Sequence, residues 1–505
     1  MPFIRSKKSL LLYQSILSLV AISVCLVLIL QPKEGWTAWV SRTLRSTHST
    51  VATPAVPTNI QVQHNLKYDL DAELDTANSV VRGTVAVSVP EAPDTQLLFY
   101  LYPSTYKPIQ IEQVEADGQK VSFQADSQHL TVPLPQKGEA VEVTIRFSTP
   151  IPAAGTRLGQ KDGVWSLTYW YPILGVRANN TWLPRPQPRP FGDPFLMDLA
   201  AYHVKLKHPT GFQWFASGYP LSSQTEAGVT ISEWRSESLR SFALVGGTGW
   251  TETMWKTADG VDVKIATRTP KTLPELQRIT QTAVKTYTKR FGSLAYPSFA
   301  VVEMPAGTVF AHEYPNLALF SQEIWSWGTG EHWIAHEIAH AWWFSSVGTY
   351  KALGPWLDEG LADYAALLYI EAQYGHAAYK ETIAQNWNLF RGEKSYSPHN
   401  YQAPVQVKEQ AADQPYANFA SETDYYYLMY LRPQLMYHDL RMELGDEQFF
   451  RFLQQFYLKN RYATTTRDRL EEALRQVKPE AVSRMKMWLD SPNGDLIQSV
   501  KDRFA

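Results

Sequence analysis

Histidines fall four residues apart in the stretch His332 to Trp343, "HWIAHEIAHAWW", at positions 332, 336 and 340. On a helix of 3.6 residues per turn, positions i and i+4 share a face, so two such imidazoles can converge on one metal ion. Glu337 follows His336 directly and completes a His-Glu-x-x-His pattern. A carboxylate there can reach a water on the metal and act as general base. Glu359 follows His340 with 18 residues between them, and the intervening "SSVGTYKALGP" is rich in turn residues. A second helix beginning near Asp358 can therefore fold back on the first and bring Glu359 to the same ion. Two His and one Glu with an open fourth position form a catalytic zinc arrangement, so one Zn2+ per chain is expected at His336, His340 and Glu359.

Asp363 lies one turn beyond Glu359 on the same helical face. It is placed to accept the free ring N–H of His336 or His340; the alternative is an exposed helix carboxylate. With Glu359 available, His332 is not needed as a ligand and is expected on the helix surface or in ordinary packing.

These residues need a frame, and the surrounding sequence describes one. From 272 to 292, "TLPELQRITQTAVKTYTKRFG" spaces apolar residues three and four apart and ends in Gly292, a helix signature. "SFAVVEMPAG" then reads as a buried strand, and "LRMELGDEQFFRFLQQFYLK" and "RDRLEEALRQV" as later helices. Before this region the character is β. "NIQVQHNLKYDLDAEL", "SVVRGTVAVSV", "AVEVTIRFS", "AYHVKLKHP" and "GVTISEW" are runs rich in Val, Thr and aromatics, several alternating with period two, the pattern of an antiparallel sandwich. The chain is thus expected to be a multidomain α+β protein, with an N-terminal antiparallel β-sandwich over 58–251 and a mixed domain over 252–505 that ends in helices.

Arg5, Lys7 and Lys8 precede an uncharged segment from Leu10 to Leu30, long enough for a helix to cross a bilayer of ~30 Å. The basic residues would keep 1–9 in the cytoplasm, making 10–30 a single transmembrane anchor, 31–57 a Ser/Thr/Pro-rich stalk, and the remainder extracytoplasmic. A cleaved signal peptide is the rival reading, but "LVLILQPKEG" lacks a small-residue cleavage pattern. Cys25, the only cysteine, falls inside this segment and reads as lipid-facing or packed. An exported region without cysteines fits a bacterial cell surface. Net charge is −2, from 47 basic and 49 acidic residues, so the basic footprint of a nucleic-acid binder is missing.

The stretch "HEIAHAWWFSSVGTYKALGPWLDEGLADY" resembles the aminopeptidase N family of zinc peptidases, gluzincins that carry H-E-x-x-H, 18 residues and then Glu. "GDPFLMDLAAYHVKLKHPTGFQWFASG" (192–218) is similar to the end of that family's β domain, and "YLRPQLMYHDLRMELGDEQFF" (430–450) to a later helical segment. The resemblance implies a thermolysin-like catalytic domain, peptide substrates and hydrolysis through a zinc-activated water. It places Glu313, in "FAHEYPNLALF", at the carboxylate that binds a substrate's free α-amine, and Tyr430 at the oxyanion-stabilising phenol. Phe310 and His312 depart from the family's Gly and Met, and Tyr430 heads Tyr-Leu-Arg-Pro in place of Tyr-x-Lys-Gly; Tyr425, Tyr426 and Tyr427 are alternative phenols. The family's large helical cap has no counterpart before Ala505, so a more open site, or one covered by a second copy in a homo-oligomer, is expected. Removal of N-terminal residues is the leading activity. An endopeptidase and a surface binding protein that keeps the metal without turnover are the alternatives.

Overall fold

The computed structural model describes residues 60–504 apart from 154–156, 190, 309, 327 and 393–408. The expected anchor (10–30), the stalk (31–57) and Cys25 lie outside the described residues. Among the described residues, no helix is long and apolar enough to cross a membrane.

Period-two patterning in the first half resolves into sheets. Leu66–Asp75 and Ala200–Pro209 bury every second side chain. They sit at the middle of an eight-stranded sheet ordered Tyr219–Glu226, Val229–Leu239, Ala200–Pro209, Leu66–Asp75, Val80–Val89, Val141–Pro150, Gln110–Ala116 and Gln119–Lys120. Its inner face, with Leu70, Val85, Ile145 and Leu206, shares one core with Phe99 and Leu130 of one four-stranded sheet and Leu167 and Val245 of another. One pairing corrects the purely antiparallel expectation: Leu66–Asp75 and Ala200–Pro209 run parallel. A parallel pair needs a long crossover, and the chain spends it building the smaller sheets before it returns.

The second half opens with a five-stranded sheet ordered Thr251–Lys256, Asp262–Thr267, Ser298–Met304, Leu317–Ser321 and Ala311–Tyr314, with the last as an antiparallel edge. Helix α1 (Leu273–Phe291) joins its second and third strands and buries Leu276, Ile279, Ala283 and Tyr287. It stops where Gly292 adopts φ 111°, a conformation that favours glycine, while the Gly292 N–H still bonds the Thr288 carbonyl. Among the described residues the other α-helices are α2 (Gly330–Ala339), α3 (Trp356–Tyr374), α4 (His376–Phe390), α5 (Glu422–Tyr426), α6 (Arg432–Leu444), α7 (Asp446–Asn460), α8 (Arg467–Val477), α9 (Pro479–Asp490) and α10 (Asn493–Val500).

Helix α2 packs on α1, α3 and the edge strand, and Ile334, Ala335, Ile338 and Ala339 are fully buried. Helix α3 packs against α6 at Gly360, where a Cβ would come within 2.3 Å of the Pro433 Cβ. The glycine beside Glu359 therefore lets the two helices approach closely. Gly348, on the chain between α2 and α3, would meet the Arg240 guanidinium if it carried a Cβ. Arg240 comes from the β half, is buried, and donates to the Ala463 carbonyl and the Thr464 hydroxyl at 3.1 Å each.

Candidate metal centre and active site

Helix α2 ends at His340, and the chain then turns away at Trp343 (φ −104°, ψ 62°). His336 and His340 face the start of α3, which carries Glu359. The His336 and His340 Nε2 atoms are 3.1 Å apart, and Glu359 Oε2 lies 3.3 Å from the first and 3.4 Å from the second. Ligand bonds of 2.0–2.2 Å in a tetrahedron put neighbouring donor atoms ~3.3 Å apart, so this triangle fits one face of a zinc tetrahedron.

Electrostatics at the triangle favour a cation. Burial alone would depress His336, but hydrogen bonding to Asp363 and Glu359 and the Glu337 and Glu359 charges push it up to about 10. Burial likewise opposes ionisation of Glu359, yet the Lys351 charge and the bonds to His336 and His340 hold its carboxyl well below the usual range. A site that draws positive charge so strongly onto imidazole fits a divalent ion on the same atoms.

The groups behind the triangle differ in part from expectation. Asp363 lies 3.5 Å from His336 Nδ1, but its closest histidine contact is His332 Nε2 at 2.7 Å. Gln434 donates to its other oxygen at 2.6 Å. Burial raises the Asp363 pKa, but the His332 charge and the hydrogen bonding to His332 and His336 outweigh it and hold the carboxyl at about 2. Asp363 is thus a buried partner of His332 that lies beside His336 at longer range. His340 Nδ1 is instead oriented by the Trp343 carbonyl at 3.0 Å.

A cavity of about 390 Å³ opens beside the triangle, lined by Glu337, Glu313, His336, Glu359 and Tyr430 together with Arg157 and Phe191 of the β half. Glu337 Oε2 is buried and has no hydrogen-bond partner among the described residues. Burial pushes its carboxyl up, the His336 and His340 charges pull it down, and it settles at about 7. A carboxylate poised there can both take and return a proton near neutrality.

Tyr430 follows α5 on a wide turn (Tyr427–Leu431), stacked on Tyr426 at 5.7 Å and with its ring 5.6 Å from that of His336. Burial, then the Glu359 charge, raises its phenol well above 10, so it stays a donor. Tyr425 and Tyr426 also line the cavity, and Tyr427 does not. The departure after Tyr430 has a structural reason. Arg432 is fully buried and donates to the Trp488, Gln410 and Ser491 carbonyls and to Asn493, while Pro433 forms the α3 contact at Gly360.

Glu313 lies on the edge strand Ala311–Tyr314, buried and facing the cavity. It is in contact with Lys351 Nζ, a residue that sequence reasoning left inside a turn. Lys351 also reaches Glu359 Oε1 at 2.9 Å, Asp193 Oδ2 at 3.6 Å and Asp358 Oδ2 at 3.7 Å, and Asp193 in turn pairs with Arg157. Asp193, His312 and Glu313 could in principle gather a second ion. Lys351 and Arg157 already neutralise those carboxylates and hold His312, which burial has already depressed, well below its ordinary value. No isolated sequence signal marked Lys351, Asp193 or Arg157, because they come from three separate segments.

Residues 286–488 match the peptidase family M1 domain. Aminopeptidase N of Lactococcus lactis subsp. lactis is 26% identical over 176 residues, which are 33% of this chain and 19% of that protein. The match therefore spans about a fifth of that relative's length. Among solved structures, the M1 zinc metallopeptidase of Deinococcus radiodurans superposes with a TM-score of 0.63 at 17% identity, covering 86% of this chain and 96% of that one. A mutant of the Deinococcus radiodurans enzyme bound to a Tyr-Ser-Ala substrate also scores 0.63, at 16% identity and the same coverage. The likeness to these structures is one of fold, and it extends over the β half as well as the helices. The M1 match covers His336, His340, Glu359 and Glu337, so the part of the chain that holds the triangle carries a peptidase family M1 domain.

Proposed function

We propose that this chain hydrolyses peptides on the outer side of a membrane, with removal of residues from amino ends as the first of two readings of where it cuts. The observation that carries the reading is the triangle of His336, His340 and Glu359 with an unpartnered Glu337 oxygen beside it in one cavity. When bound, zinc polarises the scissile carbonyl and acidifies water. Glu337 takes the proton of the attacking water on Oε2 and hands it to the leaving amine. Tyr430 donates a hydrogen bond to the oxyanion of the tetrahedral intermediate, a role that its raised pKa supports. The Trp343 carbonyl fixes the His340 ring, Asp363 sets a negative charge beside the His336 ring, and Glu313 faces the side where an amino end would enter. The uncharged segment 10–30, preceded by basic residues, supports a single-pass anchor with the site extracytoplasmic.

Replacing Tyr430 by Phe should lower kcat by ~10²–10³ while KM and zinc content stay close to wild type, the signature of an interaction made only in the transition state. If Y430F keeps full activity and Y425F loses it, the neighbouring phenol carries the role.

A second reading, cleavage within a chain, is favoured by one observation: Lys351 occupies Glu313. The full chain with zinc, incubated with free and N-acetylated peptides, separates the readings by mass spectrometry of the products. Stepwise loss from free ends alone supports the first reading, and internal cuts in both sets support the second. Intact peptides beside fully occupied zinc would mean that the chain binds peptides without turning them over.

A further inference from the structure

Lys351 is a cation built into the place where a substrate's cation would go. Its side chain is 3% exposed and its Nζ is surrounded by Glu313, Glu359, Asp193 and Asp358. The Phe344 ring covers the ammonium at 4.9 Å, so the residue is packed as well as paired. An α-ammonium arriving at Glu313 would meet a like charge already in place, since Lys351 holds Oε1 and leaves it at most the second carboxylate oxygen. Glu313 and Glu359 Oε1 are engaged by Lys351 itself. Glu359 Oε2 faces the two histidines. Asp193 is held by Arg157, while Asp358 accepts from Thr349 Oγ1 and the Glu359 N–H at 3.0 Å each. Arg157, which also lines the cavity, adds a second fixed positive charge.

We infer that Lys351 is a specificity-determining residue that occupies the amino-end subsite and removes the preference for a free N-terminus. Peptides whose amino side is acylated, or continues into further residues, then bind as well as free ones. The inference rests on the peptidase reading and concerns which peptides that site accepts.

Binding tests it without turnover. The full chain carrying E337Q, loaded with zinc, is titrated calorimetrically with Leu-Gly-Gly and with N-acetyl-Leu-Gly-Gly. The two dissociation constants should agree within about threefold, and adding K351M should shift the ratio about tenfold or more toward the free peptide, as Glu313 gains an unpaired charge. Should K351M fail to fold, the charge-conserving pair K351M/D358N serves, with melting temperature and zinc content as the checks. A preference for the free peptide of about tenfold or more with Lys351 in place, unchanged or reduced by K351M, overturns the inference. Cleavage by the chain with Glu337 intact is scored separately. No cleavage of either peptide sinks the peptidase reading, while the binding ratio still decides the role of Lys351.

Discussion

Replacing Glu337 by Gln should lower kcat by ~10³–10⁴ while the chain still holds one zinc. Glutamine keeps the shape and leaves His336, His340 and Glu359 untouched, but it cannot accept a proton at neutral pH. The oxygen that would do so is buried without a hydrogen-bond partner among the described residues, so no other side chain competes for it. Metal analysis and peptide turnover on the same sample decide the matter. Activity within a few-fold of wild type at full zinc occupancy would remove Glu337 from the chemistry, and joint loss of metal and activity would make it a structural residue.

Replacing Glu359 by Gln should have a comparable effect by another route, through loss of the metal. Losing a group behind the ligands typically costs ~10–100-fold in metal affinity, and loss of a ligand charge should exceed that. The effect is amplified here because Glu359 sets the charge of its neighbours: its carboxylate is among the groups that raise His336 to about 10. In the metal-free chain His336 therefore carries a proton below that pH, and zinc must displace it. Binding should release protons at neutral pH and weaken as pH falls. Competition with a chromophoric chelator across pH measures both quantities. Equal zinc affinity in E359Q and wild type would mean that the third ligand is another residue.

The convergence of His336, His340 and Glu359 was legible in the sequence because its spacing is local. His336, Glu337 and His340 share one helix, Glu359 begins the next, and helical periodicity alone aligns them. The helices at 273–291 and 467–477 were legible for the same reason. Lys351 was not, since a lysine in "SSVGTYKALGP" looks like any lysine in a solvated turn. Only the assembled fold shows it buried against carboxylates from distant segments. His332 was expected on the helix surface or in packing, and its bond to Asp363 depends on where α3 lies across from it. The parallel pairing of Leu66–Asp75 with Ala200–Pro209 was hidden too. Alternation of side chains reports which face is buried and is silent on strand direction.

Arg240 seated against Gly348 has a consequence for the size of what this molecule can take in. One wall of the slot beside the His336, His340 and Glu359 triangle belongs to the β half, through Arg157 and Phe191, and the other to the helices, through Trp333 and Tyr430. A guanidinium bonded across the seam, with no side chain at 348 to displace it, acts as a fixed spacer between those walls. The spacing of the walls is therefore expected to depend on a contact away from the cavity, whose volume is about 390 Å³. If the chain cleaves peptides as proposed, a slot held at that spacing is expected to admit loose ends and unfolded loops and to exclude folded globules.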